Sequence, residues 1–268
     1  MPRPPAVSRT GTDFDTAWAR TPTARVVRAG WTDFVLRPAV QLVASPDVDG
    51  RERLENLPAP AIFAANHRSH LDTGLLLSVL PERFRHKAVV AAAADYFFSN
   101  RAKGTLHALA FGAVPVERQR VNRRSGDVTA ALVEDGWSLV IFPEGGRSPD
   151  GWGQDFRGGA AYLSVRTGVP VVPVFLDGTW EVWPKGRRLP RTGTSVSVTF
   201  GEPMTAAPGE DARKLAARLE AAVATLADER SSDWWTARRR AAAGTSPTLT
   251  GPDAAPWRRS WALKPRRG

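Results

Sequence analysis

Between about residues 60 and 205 the chain alternates short apolar runs with stretches of helical length. Ala61–Ala65, Ala88–Ala94, Ala113–Val116, Leu139–Phe142 and Val171–Leu176 read as buried strands. Leu71–Leu80, Ala102–Ala110, Asp127–Asp135 and Ala160–Thr167 read as the helices between them. Continuously apolar strands separated by helices predict an α/β fold, with a mixed, largely parallel sheet flanked by helices. Thr194–Phe200 alternates polar and apolar residues and predicts a late, half-exposed strand, followed by an amphipathic helix over Asp211–Leu226. The pattern divides the chain into an N-terminal arm with an amphipathic helical segment (1–58), a central domain (59–230) and a basic, Trp-containing tail (231–268).

Within the arm, Val27, Trp31, Phe34 and Val35 fall at i, i+4, i+7 and i+8, a single helical stripe. Pro38 is expected to end or kink this helix. Two readings stay open: an ordinary helix packed on the body, or a helix lying in a membrane interface.

Charge sharpens the picture of the ends. The 268 residues carry a net charge of +10, but residues 230–268 alone hold 9 basic and 2 acidic groups. Trp234, Trp235, Trp257 and Trp261 stand among Arg238–Arg240, Arg258, Arg259, Arg266 and Arg267, with a Gly/Ser/Thr/Pro linker at Gly244–Pro252. Rings mixed with cations suit an anionic bilayer surface, single-stranded nucleic acid, or a tail stapled to the body. The chain has no cysteine, which excludes thiolate nucleophiles, disulfides and Cys-ligated metal. Met1–Thr23 lacks an apolar signal-peptide core, and no apolar run approaches the length of a membrane span, so a soluble or peripheral protein is expected.

The candidate chemistry begins directly after the first buried run, at Asn66-His67-Arg68-Ser69-His70-Leu71-Asp72. Ser69 followed three residues later by Asp72 is a capping-box pattern and puts the helix start at Ser69. On a continuous helix, five positions would set His67 and Asp72 about 140° apart. A turn ending at Ser69 instead lets His67 fold back, so that Asp72 fixes its tautomer and the other ring nitrogen serves as a base. The alternative is that Asp72 only caps the helix. Metal binding by His67 and His70 lacks a third ligand at zinc-like spacing, and Gly-x-Ser-x-Gly and P-loop patterns are missing. Gly112–Arg118 and Phe142–Ser148 each place an acid and an arginine just past a strand end, where α/β proteins gather ligands. Arginine there suits phosphate through paired, charge-assisted hydrogen bonds.

Asn66–Asp72 resembles the His-x4-Asp block of the glycerolipid acyltransferase family, which includes lysophosphatidic acid acyltransferases. Gly112–Arg118 resembles that family's second block, Phe142–Ser148 its Phe-Pro-Glu-Gly-x-Arg-Ser block, and Val169–Val174 its fourth, all in the family's order. Glu117 stands where the second block usually has Asp, Pro115 where an aromatic or aliphatic residue is common, and Gly146 where Thr is usual. Val90–Tyr96, where relatives often carry a phosphate-binding lysine, has none; Lys87, Arg101 and Lys103 are the candidate replacements.

The resemblance implies transfer of a fatty acyl group from acyl-CoA or acyl carrier protein, as co-substrate and with no cofactor or metal, to a lysophospholipid hydroxyl. The acceptor it favours is 1-acylglycerol-3-phosphate. It implies His67 as base and Asp72 as its orienting partner, with Arg118 and Arg147 on the acceptor phosphate. Glu144 would face the glycerol, Gly145 would permit close approach, and backbone N–H groups at the helix start would stabilise the oxyanion. A cytoplasmic enzyme peripheral on the inner face of the cell membrane, bound to anionic lipid and not to nucleic acid, is the corresponding expectation. Glycerol-3-phosphate, another lysolipid or a glycolipid as acceptor, and a non-catalytic lipid- or nucleic-acid-binding module, are the alternatives.

Overall fold

A computed structural model describes residues 11–117 and 123–251. The strands are β1 (Asp47–Asp49), β2 (Ile62–Ala65), β3 (Ala88–Ala93), β4 (Ala113–Val116), β5 (Ser138–Ile141), β6 (Val171–Asp177) and β7 (Ser197–Phe200). The α-helices are α1 (Pro22–Trp31), α2 (Arg37–Ala44), α3 (Asp72–Val79), α4 (Glu82–Arg85), α5 (Ala94–Phe97), α6 (Arg101–Phe111), α7 (Arg123–Glu134), α8 (Gly159–Thr167), α9 (Thr179–Val182), α10 (Ala212–Ser231) and α11 (Trp234–Ala242).

The seven strands form one sheet in the order β1-β7-β6-β2-β5-β3-β4. Strands β2 to β6 run parallel; β7 is antiparallel to β6, and β1 pairs parallel with β7. The mixed, largely parallel α/β architecture follows from burial. β2 lies at the centre and all four of its residues are buried, because helices cover both faces. On one face Phe63, Val140 and Val174 pack with Leu75 and Leu76 of α3 and Val40 of α2. On the other, Ile62, Ala64 and Leu139 pack with Val133 of α7, Leu163 of α8 and Leu219 of α10. A strand covered on both faces has no use for polar alternation.

Three features depart from the pattern reading. β1 reaches back into the arm drawn at 1–58 and joins it to the sheet; three residues with Asp at both ends give no apolar signal, and the strand is defined by its register with Ser197–Thr199. β7 is buried at every position, not half-exposed, and Val198 and Phe200 join the core on the α2/α3 face. Pro38 does not end the N-terminal helix. The chain passes through a π-helical segment, Thr32–Leu36, whose register sends the Arg37 N–H to the Thr32 carbonyl and leaves Pro38 in the first turn of α2.

The apolar stripe of that segment points outward: Val27, Trp31 and Val35 are exposed, and Phe34 is 83% exposed. The body-facing side carries Ala24, Arg28, Thr32, Val40 and Ala44. At the other end, Gly244–Pro252 is not a free linker over its described part. Leu249 is buried, and its carbonyl accepts the Gly153 N–H at 2.8 Å. Trp257, Trp261 and the basic residues around them lie outside the described residues.

Candidate active site

Because β2, β3, β4, β5 and β6 are parallel, their carboxyl ends share one edge of the sheet, and the segments that follow them meet there. His67 follows β2, Tyr96 follows β3, Glu117 follows β4, and Phe142–Ser148 follows β5.

Asn66 fixes where the turn begins. Its side chain extends the sheet ladder toward β6, donating to the Leu176 carbonyl at 2.9 Å and accepting the Leu176 N–H at 2.7 Å. The next residue, His67, leaves the strand with its backbone clamped on both sides: its N–H donates to Glu144 Oε1 at 2.9 Å, and its carbonyl accepts the Ser148 N–H at 2.8 Å. Its ring stacks on Phe142, with centroids 4.1 Å apart and planes 20° from parallel. His67 Nδ1 lies 2.8 Å from Asp72 Oδ2, which leaves Nε2 for a substrate.

Asp72 is fully buried, and its Oδ2 also accepts the N–H groups of Arg68 and Ser69, each at 2.7 Å. Three donors converge on one carboxylate oxygen, so the turn and the imidazole are held by a single group. The α-helix starts at Asp72, not at Ser69. Only half of the expected capping box forms: Asp72 reaches back to the Ser69 N–H, while the Ser69 hydroxyl accepts from Leu71 N and donates to the Trp183 carbonyl. The same arrangement takes up the N–H groups of the turn that precedes the helix. The N–H groups of Arg68, Ser69, His70 and Leu71 are all engaged within the protein, the His70 N–H by the Trp183 carbonyl.

Glu144, expected to face the glycerol, is turned into the protein. It is 2% exposed, and its second oxygen accepts the Gln154 N–H at 3.1 Å. Its carboxylate therefore supports the backbone of His67 and of the 144–154 loop. Burial pushes its pKa up to about 8, against the opposing hydrogen bond from the His67 N–H and the nearby Arg68 charge. Gly145 is required by its φ of +73°, but the space where a Cβ would sit is taken by the Arg157 guanidinium, 3.0 Å away, and not by an open approach for substrate.

Arg147 lies on the α3 side of this edge, against the His70 ring, with its guanidinium 5.3 Å from the centroid of Tyr96. Among the described residues no carboxylate pairs with it. Burial, and next the Arg147 charge, lower the His70 pKa, so the histidine stays neutral beside the cation. The hydrogen bond from Arg147 lowers the Tyr96 pKa, helped by its charge and by those of Lys103 and Lys185. Of the three candidate replacements for the missing lysine, Lys103 is the one beside this group: its Nζ donates to the Tyr96 carbonyl at 2.9 Å and lies 3.8 Å from the ring centroid. Lys87 donates to the Asp135 carbonyl at the amino-terminal edge of the sheet, away from His67, and Arg101 sits exposed at the start of α6. Arg118 lies outside the described residues. Sequence reasoning missed Tyr96, Trp183 and Phe142 as parts of the site; Tyr96 stands in the stretch read only for its lack of lysine.

The family model described as Acyltransferase matches residues 47–177, from β1 to the end of β6. Over this region the chain is similar to the glycerolipid acyltransferase family. A chloroplastic 1-acyl-sn-glycerol-3-phosphate acyltransferase of Brassica napus is 32% identical over 147 residues, covering 52% of this chain and 39% of that protein. The human 1-acyl-sn-glycerol-3-phosphate acyltransferase alpha is 29% identical over 182 residues, covering 65% of this chain and 61% of that protein. The chain thus spans only about two-fifths to three-fifths of the length of these curated relatives. In fold it is similar to the crystal structure of the 1-acyl-sn-glycerophosphate acyltransferase PlsC from Thermotoga maritima, with a TM-score of 0.58 and 24% identity over 76% of this chain and 84% of that one. The block containing Asp72 and the block containing Glu144 both fall inside the matched family region.

Proposed function

We propose that this chain is a 1-acylglycerol-3-phosphate O-acyltransferase, moving a fatty acyl group from a thioester to the free glycerol hydroxyl and giving phosphatidic acid. The observation that carries this reading is the pairing of His67 Nδ1 with buried Asp72, beside a guanidinium, Arg147, that no described carboxylate neutralises. The names of the curated relatives support the same acceptor.

In the reaction, His67 Nε2 removes the hydroxyl proton as that oxygen attacks the thioester carbonyl. Asp72 holds the ring and stabilises the imidazolium that forms. The tetrahedral intermediate collapses with cleavage of the carbon–sulfur bond, and the departing thiolate takes the proton back from His67. No acyl-enzyme is needed, in keeping with the lack of cysteine and of a nucleophile elbow. Arg147, with Lys103 beside it, holds the acceptor phosphate and so brings the hydroxyl to the base. Glu144 acts through the backbone of His67 as a positioning residue.

The acceptor is a membrane lipid, and the exposed Val27, Trp31, Phe34 and Val35 side chains give the chain a peripheral contact with the bilayer. No helix among the described residues is long and apolar enough to cross a membrane. An assay of labelled acyl-CoA against 1-acylglycerol-3-phosphate, glycerol-3-phosphate and other lysolipids tests the reading. Preferential phosphatidic acid formation supports it; transfer to another acceptor alone, or none, overturns it.

A further inference from the structure

Four separate segments bring one ring and three cations together beside the turn that carries His67. Tyr96 lies in α5, Lys103 in α6, Arg147 in the segment after β5, and Lys185 in the connection from α9 to β7. The Lys103 ammonium is 3.8 Å and the Arg147 guanidinium 5.3 Å from the Tyr96 ring centroid, and the charge of Lys185 reaches the same phenol. Lys185 lies beyond residue 177, where the family match ends, and the mechanism above gives it no role.

Backbone contacts fix its place. Pro184 forms an antiparallel bridge with Ser69, and the Trp183 carbonyl accepts the Ser69 hydroxyl at 2.8 Å and the His70 N–H at 3.0 Å. Lys185 and Gly186 then form the corner of a turn closed by the Arg187 N–H, which donates to the Pro184 carbonyl at 3.2 Å. Gly186 has a φ of +91°, the left-handed conformation that the third position of a type II turn requires. The Trp183 indole donates to the Arg187 carbonyl at 3.0 Å and braces the corner. An exposed lysine is thus held at a defined corner, on backbone tied to Ser69 and His70.

Three like charges around one ring repel. Among the described residues none of the three is ion-paired to a carboxylate. Tyr96 registers the imbalance: the hydrogen bond from Arg147 and then, against partial burial, the charges of Arg147, Lys103 and Lys185 hold its phenol below the ordinary tyrosine range. Contact with the ring face offsets only part of the repulsion, and a bound anion would offset the rest. The side chains are open to one: Tyr96 is 42% exposed, and Arg147 and Lys103 are half-buried. The Coulombic gain from each cation scales with ligand charge. A phosphate monoester, a dianion above its second pKa of about 6, therefore gains twice what the monoanion of a phosphodiester gains.

We propose that Lys185 is a third cation of the acceptor-phosphate site and a specificity-determining residue, favouring acceptors with a phosphate monoester over lysolipids whose phosphate is a diester. The proposal rests on the acyl-transfer reading above.

Two measurements on the whole chain test it. Tyr162→Phe leaves Tyr96 as the only tyrosine, so tyrosinate absorbance reads its ionisation and reports a bound anion as a rise in its pKa. Glycerol-3-phosphate, the diester glycerophosphoglycerol and inorganic phosphate are titrated in this background. Lys185→Gln is expected to weaken glycerol-3-phosphate about 4-fold and the diester about 2-fold, with Lys185→Arg near the wild type. Arg187→Gln, which removes a charge from the same turn at a guanidinium committed to the Leu189 carbonyl, is expected to change neither. In turnover, Lys185→Gln is expected to raise the KM for 1-acylglycerol-3-phosphate about 4-fold and to leave kcat and the donor KM unchanged. An unchanged acceptor KM, equal weakening of monoester and diester, an equal effect of Arg187→Gln, or a Tyr96 response to inorganic phosphate that glycerol-3-phosphate does not give, overturns the proposal. A Lys185-dependent response to glycerol-3-phosphate in a chain that transfers no acyl group instead sinks the acyl-transfer reading and leaves the phosphate site standing.

Discussion

His67 Nδ1 and the backbone N–H groups of Arg68 and Ser69 all meet Asp72 Oδ2, at 2.7 to 2.8 Å. One buried carboxylate oxygen therefore shapes the strand-to-helix turn and orients the base that the turn carries. Structural and catalytic demands on Asp72 are inseparable, whereas His67 sits at the end of the arrangement and can be removed without opening the core. His67→Ala is thus expected to lower acyl transfer at least about 10²-fold with unfolding behaviour near that of the wild type. Asp72→Ala is expected to lose both activity and stability, because two backbone donors lose their acceptor. Side-by-side rates and urea unfolding curves check this, and near-normal turnover by His67→Ala refutes the base assignment.

Arg147 approaches His70 and the Tyr96 ring, and no described carboxylate holds it in place. If it binds the acceptor phosphate equally in the ground and transition states, its loss acts on binding alone. Arg147→Ala is expected to raise the acceptor KM about 10-fold or more and to leave the donor KM unchanged. Lys103→Ala is expected to act in the same direction and less. An unaltered acceptor KM in both variants places the phosphate elsewhere.

Much of this was legible in the sequence, and the exceptions share a cause. Strands β2 to β6 announce themselves because burial on both faces demands uninterrupted apolar runs, and the His67-to-Asp72 spacing announces a turn. What failed to show depends on partners distant in the chain. β1 has one apolar residue and exists through its register with β7. Glu144 reads as a ligand-facing carboxylate at a strand end, yet the fold brings the His67 N–H, 77 positions away, onto it. The N–H groups of Arg68, Ser69, His70 and Leu71 are taken up by Asp72, Ser69 and Trp183, which no local pattern reveals. Leu249 is one apolar residue in a polar stretch, and its burial against the 151–153 loop is likewise a tertiary event.

Glu144 gives a prediction on stability. Burial raises its pKa from 4.5 to about 8 in the folded chain. Between those values the folded state keeps a proton that the unfolded state releases, so the stability associated with this group is fullest below about 4.5 and is lost as pH rises through 8. Glu144→Gln cannot ionise, so the stability difference between wild type and variant is expected to shift in the variant's favour from pH 5 to pH 8. Urea unfolding at pH 5, 6.5 and 8 checks the sign; parallel curves refute the raised pKa.

Phe34 and Leu42 are each 83% exposed on the N-terminal helical segment, and neither contributes to the buried core. Large apolar side chains left in water at this density mark a surface that is covered in use. Buried in a bilayer interface, Phe34 would contribute about 1.5–3 kcal/mol, so Phe34→Ser is expected to weaken binding to vesicles roughly tenfold. Because the contact is apolar, the loss should persist at high salt, where attraction between the basic chain and anionic lipid is screened away. Sedimentation with anionic and neutral vesicles at two salt concentrations separates the two contributions. Vesicle binding that is unchanged by Phe34→Ser and by Leu42→Ser would assign membrane contact to charge alone and leave the exposed stripe without that role.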